Sequence, residues 1–236
     1  MGKKRKKASV NQQKIARSQR MQNLVVFTIL GVAVALGLFA VIQAAVGGDE
    51  VDTDQFDYEN QPVLGDKNAP VKIVEFGDYK CPVCKRFEAQ VFPRLKKDFI
   101  DQGKASMYFI NNPFIGDDSV TAALAGEAVY RQNPEAFWKF YSTVYRNQGP
   151  EQQRWATPEL LIQLAKKEVP GIDVKKLKED LESQADLKAV DKDKEIARKL
   201  NVTSVPTVFI NGKPVKDVFD YEALKKMIEE EAKKAR

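Results

Sequence analysis

Two side chains stand out as candidate reagents: Cys81 and Cys84 in the stretch Tyr79-Lys80-Cys81-Pro82-Val83-Cys84. They are the only cysteines of the 236-residue chain, and histidine is absent altogether. A structural zinc site takes four Cys or His ligands as a rule, so two thiols without an imidazole do not supply one. A copper site of the thiol-and-imidazole kind lacks its imidazole for the same reason. A structural disulfide is chemically possible, but closing a loop of about four residues stabilises by only about 2 kcal/mol. A chain long enough to bury a sizeable core gains little from that. The remaining chemistry is thiol–disulfide exchange, which depends on the compartment the pair occupies.

The N-terminus speaks to compartment. Residues 1–20 carry eight Lys or Arg and no acid, which leaves the rest of the chain at about −3 out of a total of +5. The folded part is therefore mildly acidic, and no nucleic-acid partner is expected. Leu24 to Val46 (LVVFTILGVAVALGLFAVIQAAV) has no charge and is long enough to cross a bilayer as a helix. Basic residues precede it and Asp49, Glu50, Asp52 and Asp54 follow it. The positive-inside rule then leaves residues 1–23 as a cytoplasmic basic arm and exports everything after the anchor at 24–46. A cleaved signal sequence is the rival reading, with Ala44, Ala45 and Gly47 as small residues near a cut. Its apolar core would be unusually long, and either reading puts the body outside the cell. The expected location is the cell membrane, single pass, with the folded domain extracytoplasmic.

After the anchor, residues 47–61 are acidic and aperiodic and read as a linker. Val71 to Gly77 reads as a buried strand running into the cysteines. Pro82 to Phe99 has helical spacing (Val83, Phe87, Val91, Leu95, Phe99) with a kink expected from Pro93. Ala105 to Ile110 is a second strand. From Asp117 to about Leu200 only helices are expected: one capped by Ser119 and ending at Gln132, one after Asn133-Pro134, one after Thr157-Pro158-Glu159, one over 173–183 and one over 187–200. The aromatic residues Phe137, Trp138, Phe140 and Tyr141 read as core. Val205 to Ile210 then reads as a strand, Asn211-Gly212 as a hairpin turn, Val215 to Phe219 as its partner, and Tyr221 to Lys234 as a closing helix. The order is α/β, with a helical segment (117–190) inserted between a first part (62–116) and a second part (191–236).

Where a strand ends and a helix begins, Cys81 falls at the helix N-cap with backbone N–H groups facing its sulfur, and that end of the macrodipole lowers a thiol pKa. Pro82 suits the first turn because its missing N–H would have gone unpaired. Cys84 lies one turn further in and can attack a mixed disulfide formed at Cys81. Far along the chain, Ser204-Val205-Pro206-Thr207 starts a strand with proline. A strand-edge proline is the plain reading. Beside a CxxC, a cis Val205–Pro206 bond that presents the Val205 backbone to Cys81 and to a substrate chain is the better account.

These residues resemble the DsbA-like thiol–disulfide oxidoreductases, in particular the membrane-anchored members of Gram-positive bacteria. The resemblance spans about Pro62 to Lys234. It rests on Val74-Glu75-Phe76, CPVC, Phe87-Glu88, the helical insertion and VTSVPTVFINGKPV. It implies a thioredoxin fold with an inserted helical domain. It makes Cys81 the exposed nucleophile, Cys84 the resolving cysteine, Pro206 the cis-proline and Glu75 the acid that assists proton transfer at the inner thiol; a surface-strand glutamate is the alternative for Glu75. Pro82, Val83 and Val205 would border the substrate. The best-known members have CPHC, and here Val83 replaces the histidine, which points to a less acidic Cys81 and a milder oxidant. Some Gram-positive relatives hold a structural calcium, and the matching oxygens here are those of Gln61, Glu127 and Asp193, or Asp191 as a neighbour; solvated surface is the alternative.

The expected activity is that of a disulfide-introducing oxidase acting as a monomer on unfolded, reduced exported proteins. No cofactor is needed for exchange, and reoxidation falls to a quinone-linked membrane partner of the DsbB type. The alternatives are a reductase or isomerase, for example in cytochrome c maturation, and a membrane-anchored chaperone whose CxxC is merely structural.

Overall fold

The computed structural model describes residues 50–234, together with Thr28. The expected basic arm and, apart from Thr28, the expected anchor lie outside the described residues. Among the described residues no helix is long and apolar enough to cross a membrane.

In chain order the elements are β1 (Val63–Leu64), β2 (Val71–Gly77), α1 (Pro82–Gln90), α2 (Phe92–Leu95), β3 (Ala105–Asn111), α3 (Asp117–Gln132), α4 (Pro134–Arg146), α5 (Pro158–Glu168), α6 (Val174–Ser183), α7 (Leu187–Lys199), β4 (Thr207–Ile210), β5 (Lys213–Pro214) and α8 (Tyr221–Lys234). The strands form one sheet in the order β1-β3-β2-β4-β5. Its centre is β2, parallel to β3 and antiparallel to β4. The parallel pair is joined by the crossover through α1 and α2, as parallel pairing requires. Helices α3 to α7 are inserted before the chain returns as β4.

Alternation along β2 decides what each face carries. Ile73, Glu75 and Gly77 face the larger core, with Met107, Phe109, Val208 and Ile210 as sheet neighbours and α1, α4 and α8 supplying cover. Val74 and Phe76 face a second cluster with Tyr108, Ile110, Phe209, and Ile196 and Ala197 of α7. A Cβ at Gly77 would lie 2.4 Å from the Phe109 ring, so a side chain there would collide with the core. Both faces of β2 are thus buried, which explains its near-continuous apolar run.

Several expectations need correction. The stretch read as a linker is folded from residue 50 onward. Asp52 caps a 3₁₀ turn at Thr53–Phe56, a second turn follows at Tyr58–Asn60, and Phe56 packs on Phe209 and Phe76 at 5.3 and 6.1 Å between ring centroids. Turns this short show no periodicity in sequence. Ser119 does not cap α3. The N-cap is Gly116, and Ser119 lies in the first turn with its hydroxyl donated to Asp78. The hairpin partner of β4 is Lys213–Pro214, not Val215–Phe219; only the Val215 N–H, bonded to the Val208 carbonyl, extends the ladder. The break expected at Pro93 falls at Val91, whose carbonyl accepts from both Arg94 and Leu95, and a wider π turn follows at Lys96–Ile100. The cap at Thr157 forms as expected, and Asn133 and Asp173 also cap the helices that follow them, each accepting from first-turn N–H groups.

If residues 50–61 belong to the fold, Phe56→Ala should lower unfolding free energy by about 3–5 kcal/mol, read as a drop in the urea midpoint. A change of a few tenths would return the segment to the status of a tether.

Candidate active site

The turn between β2 and α1 is held by one carboxylate. Asp78 is buried and accepts from the N–H groups of Lys80, Phe114 and Ile115 and from the Ser119 hydroxyl, at 2.8–3.1 Å. Its carbonyl accepts from the Cys81 N–H at 2.9 Å. The next residue, Lys80, is buried in an ion pair with Asp118 of α3 at 2.6 Å, and Asp118 also accepts from the N–H groups of Trp155 and Ala156. From the loop after α4, the Gln148 side chain donates to the carbonyls of Tyr79 and Cys81 at 2.8 and 3.0 Å. Three points of the helical insertion therefore grip the turn that carries the first sulfur.

Cys81 is the N-cap of α1, with extended backbone, and Pro82 opens the helix. Both thiols are free. The Cys81 thiol is brought down to about 7 by the hydrogen bond from the Cys84 thiol, against the effect of burial, with help from the N–H groups of Cys84 and Val83. Cys84 is fully enclosed, and burial, its bond to Cys81 and nearby Glu75 push its thiol well above the usual range. The two sulfurs are thus made unequal by position along one helical turn. Cys81 is less open than a freely exposed nucleophile, at 5% exposure, because the Val205 carbonyl covers it at 3.4 Å and the Val205–Pro206 bond is cis. Pro82 and Val83 lie beside it on the surface, Val83 at 44% exposure, while Val205 and Pro206 are half-buried.

Glu75 lies in the core on the face of β2 shared with the cysteines, so it is no surface-strand glutamate. Its cross-strand neighbours are Phe109 and Val208. Its Oε2 accepts from the Tyr141 hydroxyl of α4 at 2.7 Å. Burial pushes its carboxyl up to about 8, against the Tyr141 hydrogen bond and with Glu88 and Cys81 adding to the rise. A carboxyl that titrates near neutrality beside a buried thiol can hold or release a proton there.

The residues expected to bind calcium lie together beyond the end of β3. Asn111 donates its amide to Glu127 Oε1 at 2.7 Å and to Asp193 Oδ2 at 3.0 Å, its N–H also reaches Asp193, and Gln61 donates to Asp193 Oδ1 at 2.9 Å. All four are buried, which removes the solvated-surface reading. Asp191 is exposed, 3.7 Å from Lys194, and takes no part. Burial raises the carboxyls of Glu127 and Asp193, with repulsion from Asp193 and Asp186 adding to the rise of Glu127 and from Asp57 to that of Asp193, and among the described residues neither pairs with a Lys or Arg. Among the described residues the Gln61 Oε1 and Asn111 Oδ1 oxygens have no partner. Two carboxylates and two unspent amide oxygens are a donor set that fits a hard cation. No three His, Cys, Asp or Glu cluster among the described residues.

The family model described as thioredoxin matches residues 57–230. A probable disulfide bond formation protein D of Bacillus cereus is 40% identical over 220 residues, covering 92% of this chain and all of the relative. The chain belongs to the DsbA-like thioredoxin family. It is a thiol–disulfide oxidoreductase of that type. Disulfide bond formation protein D of Bacillus subtilis is 41% identical over 79% of this chain and 83% of its own length. The crystal structure of oxidised BdbD from Bacillus subtilis superposes with a TM-score of 0.73 over 79% of this chain and 97% of that one. Chlamydia trachomatis DsbA, at 28% identity, gives 0.65 over 72% of this chain and 90% of that one.

The structure thus brings Cys81, Cys84, Pro82, Val83, Val205, Pro206 and Glu75 into one site and gathers Gln61, Glu127 and Asp193 elsewhere. Sequence reasoning missed Asp78, Gln148, Asn111 and Tyr141. Tyr141 was visible only as core, because its ring belongs to the aromatic stripe and its hydroxyl leaves no separate mark.

Glu75→Gln keeps an acceptor for Tyr141 and removes the ionisable group. The wild-type carboxyl titrates near 8 folded and near 4.5 unfolded, so the wild type loses stability as pH rises between those values. The variant should gain on the order of 3 kcal/mol over wild type at pH 7 and nothing at pH 4, read from paired urea titrations. Equal stabilities at pH 7 would show that Glu75 carries no burial cost.

Proposed function

We propose that the protein is an extracytoplasmic oxidase that introduces disulfides into reduced, exported proteins. The observation that supports this most is the inequality of the two sulfurs. A Cys81 thiolate stabilised at the N-terminus of α1 favours the dithiol form of the enzyme, and a disulfide whose reduced form is stabilised is the better oxidant. A substrate thiolate attacks Cys81 Sγ, Cys84 leaves, and a second substrate thiolate then releases Cys81 and closes the substrate disulfide. Pro82, Val83 and the Val205 backbone border the incoming chain, with Pro206 holding Val205 in place. Glu75 gives Cys84 its proton. The apolar segment at 24–46 tethers the domain to the membrane, where a quinone-linked partner of the DsbB type restores the disulfide.

The Cys81 alkylation rate should be half-maximal near pH 7, as against about 9 for an ordinary thiol. Cys81→Ser should lose oxidation of a reduced model protein altogether. In cells the pair should stand mostly as the disulfide. A mostly reduced pair would indicate a reductase or isomerase, and retained function in Cys81→Ser would indicate a chaperone.

Gln61, Glu127, Asp193 and Asn111 would hold a calcium ion that neutralises the two buried carboxylates and so ties β3, α3 and α7 together; exchange needs no cofactor. Calcium at a hundredfold excess over its Kd should then stabilise by about 3 kcal/mol, and chelation should lower the melting temperature. An unchanged melting curve would remove the ion from this reading.

A further inference from the structure

Among the described residues Glu75 is a carboxyl group without a cation. The titratable groups around it are Tyr141 and Tyr145 from α4, Cys84 and Glu88 from α1, and Cys81 and Tyr79 from the turn; its sheet neighbours Phe109 and Val208 are apolar. Of these groups one makes a hydrogen bond to it, the Tyr141 hydroxyl on Oε2. Among the described residues the other oxygen, Oε1, has no partner, and neither has the neighbouring Tyr145 hydroxyl. Tyr141 cannot easily turn away. Its ring lies among Tyr145, Phe109, Trp138 and Phe92 at 4.9–5.5 Å between centroids. Ring packing therefore sets where the hydroxyl sits, and the hydroxyl sets which oxygen of Glu75 is occupied.

We propose that Tyr141, supplied by the helical insertion, is the positioning residue for proton transfer at Cys84: it holds Glu75 through Oε2 and leaves Oε1 to exchange the proton. The proposal rests on the assignment of Glu75 as proton donor given above. In the step concerned, a substrate thiolate forms a bond to Cys81 Sγ and the Cys81–Cys84 bond breaks. Its electron pair leaves on Cys84 Sγ. The Glu75 carboxyl passes its proton to that sulfur, giving a thiol and a carboxylate. The substrate sulfur is oxidised into the mixed disulfide, and the Cys84 sulfur is reduced. The new carboxylate is the species that the Tyr141 O–H stabilises, since a hydrogen bond to an ion is stronger than one to a neutral acid. Tyr141 thus makes Glu75 a better proton donor.

The test is the rate at which a reduced single-cysteine peptide opens the Cys81–Cys84 disulfide, measured by stopped flow against pH and corrected for the peptide's thiolate fraction. In the wild type the corrected rate should fall above about pH 8, as Glu75 loses its proton. Tyr141→Phe keeps the ring and removes the hydroxyl. It should move that break upward by about one to two pH units and lower the plateau rate. Infrared titration of the buried carboxylic acid C=O band, identified by its loss in Glu75→Gln, should move by the same amount. Tyr145→Phe, which removes an unpartnered hydroxyl, should move neither. A break that stays in place in Tyr141→Phe overturns the Tyr141 proposal. A wild-type rate with no break, or one unchanged in Glu75→Gln, overturns the assignment of Glu75 itself.

Discussion

A strand buried on both faces has room for a charge only where the charge can be given up. β2 is such a strand, and Glu75 sits in its middle with apolar residues on both adjacent strands. Desolvation makes ionisation of that carboxyl costly, so it stays protonated until near pH 8, and a proton is then available under the cysteines at neutral pH. The same burial raises Cys84. Cys81 escapes because the Cys84 thiol donates to it and the N–H groups of Cys84 and Val83, at the helix end, add to the effect. The fold thus separates the acidities of two identical side chains by placing one at the edge of the core and the other within it.

The helical insertion completes this arrangement. Its elements supply the hydroxyl on Glu75, the amide of Gln148 on the turn, Asp118 for Lys80 and the Ser119 hydroxyl on Asp78. The sheet, for its part, supplies Glu75 and the Val205 carbonyl. Neither half contains a finished site.

How much of this could be read from the chain depends on the range of the interaction. Local features were legible: the strand before CPVC, Cys81 as a cap, Pro82 at the first turn, the cap at Thr157 and the helix starts near Asn133 and Asp173. The distant Val205-Pro206 became legible only beside the CxxC pair, and the role of Glu75 only through family resemblance. What stayed hidden was carried by side chains with two roles. Asp78 looks like a turn residue and Gln148 like a loop residue, while Tyr141 looks like core. Phe56 was lost for another reason, since an acidic aperiodic stretch with two aromatic residues gives no sign of the pocket that receives one of them.

The grip of the insertion on Tyr79, Lys80 and Cys81 has an evolutionary consequence. A segment that merely decorated the fold could be lengthened, exchanged or lost while the exchange chemistry survived. Here the backbone of Cys81 hangs from Gln148, its neighbour is paired with Asp118, and the acid beneath it is bonded to Tyr141. Drift in these helices is therefore drift in redox chemistry, and the two parts of the chain are bound to change together.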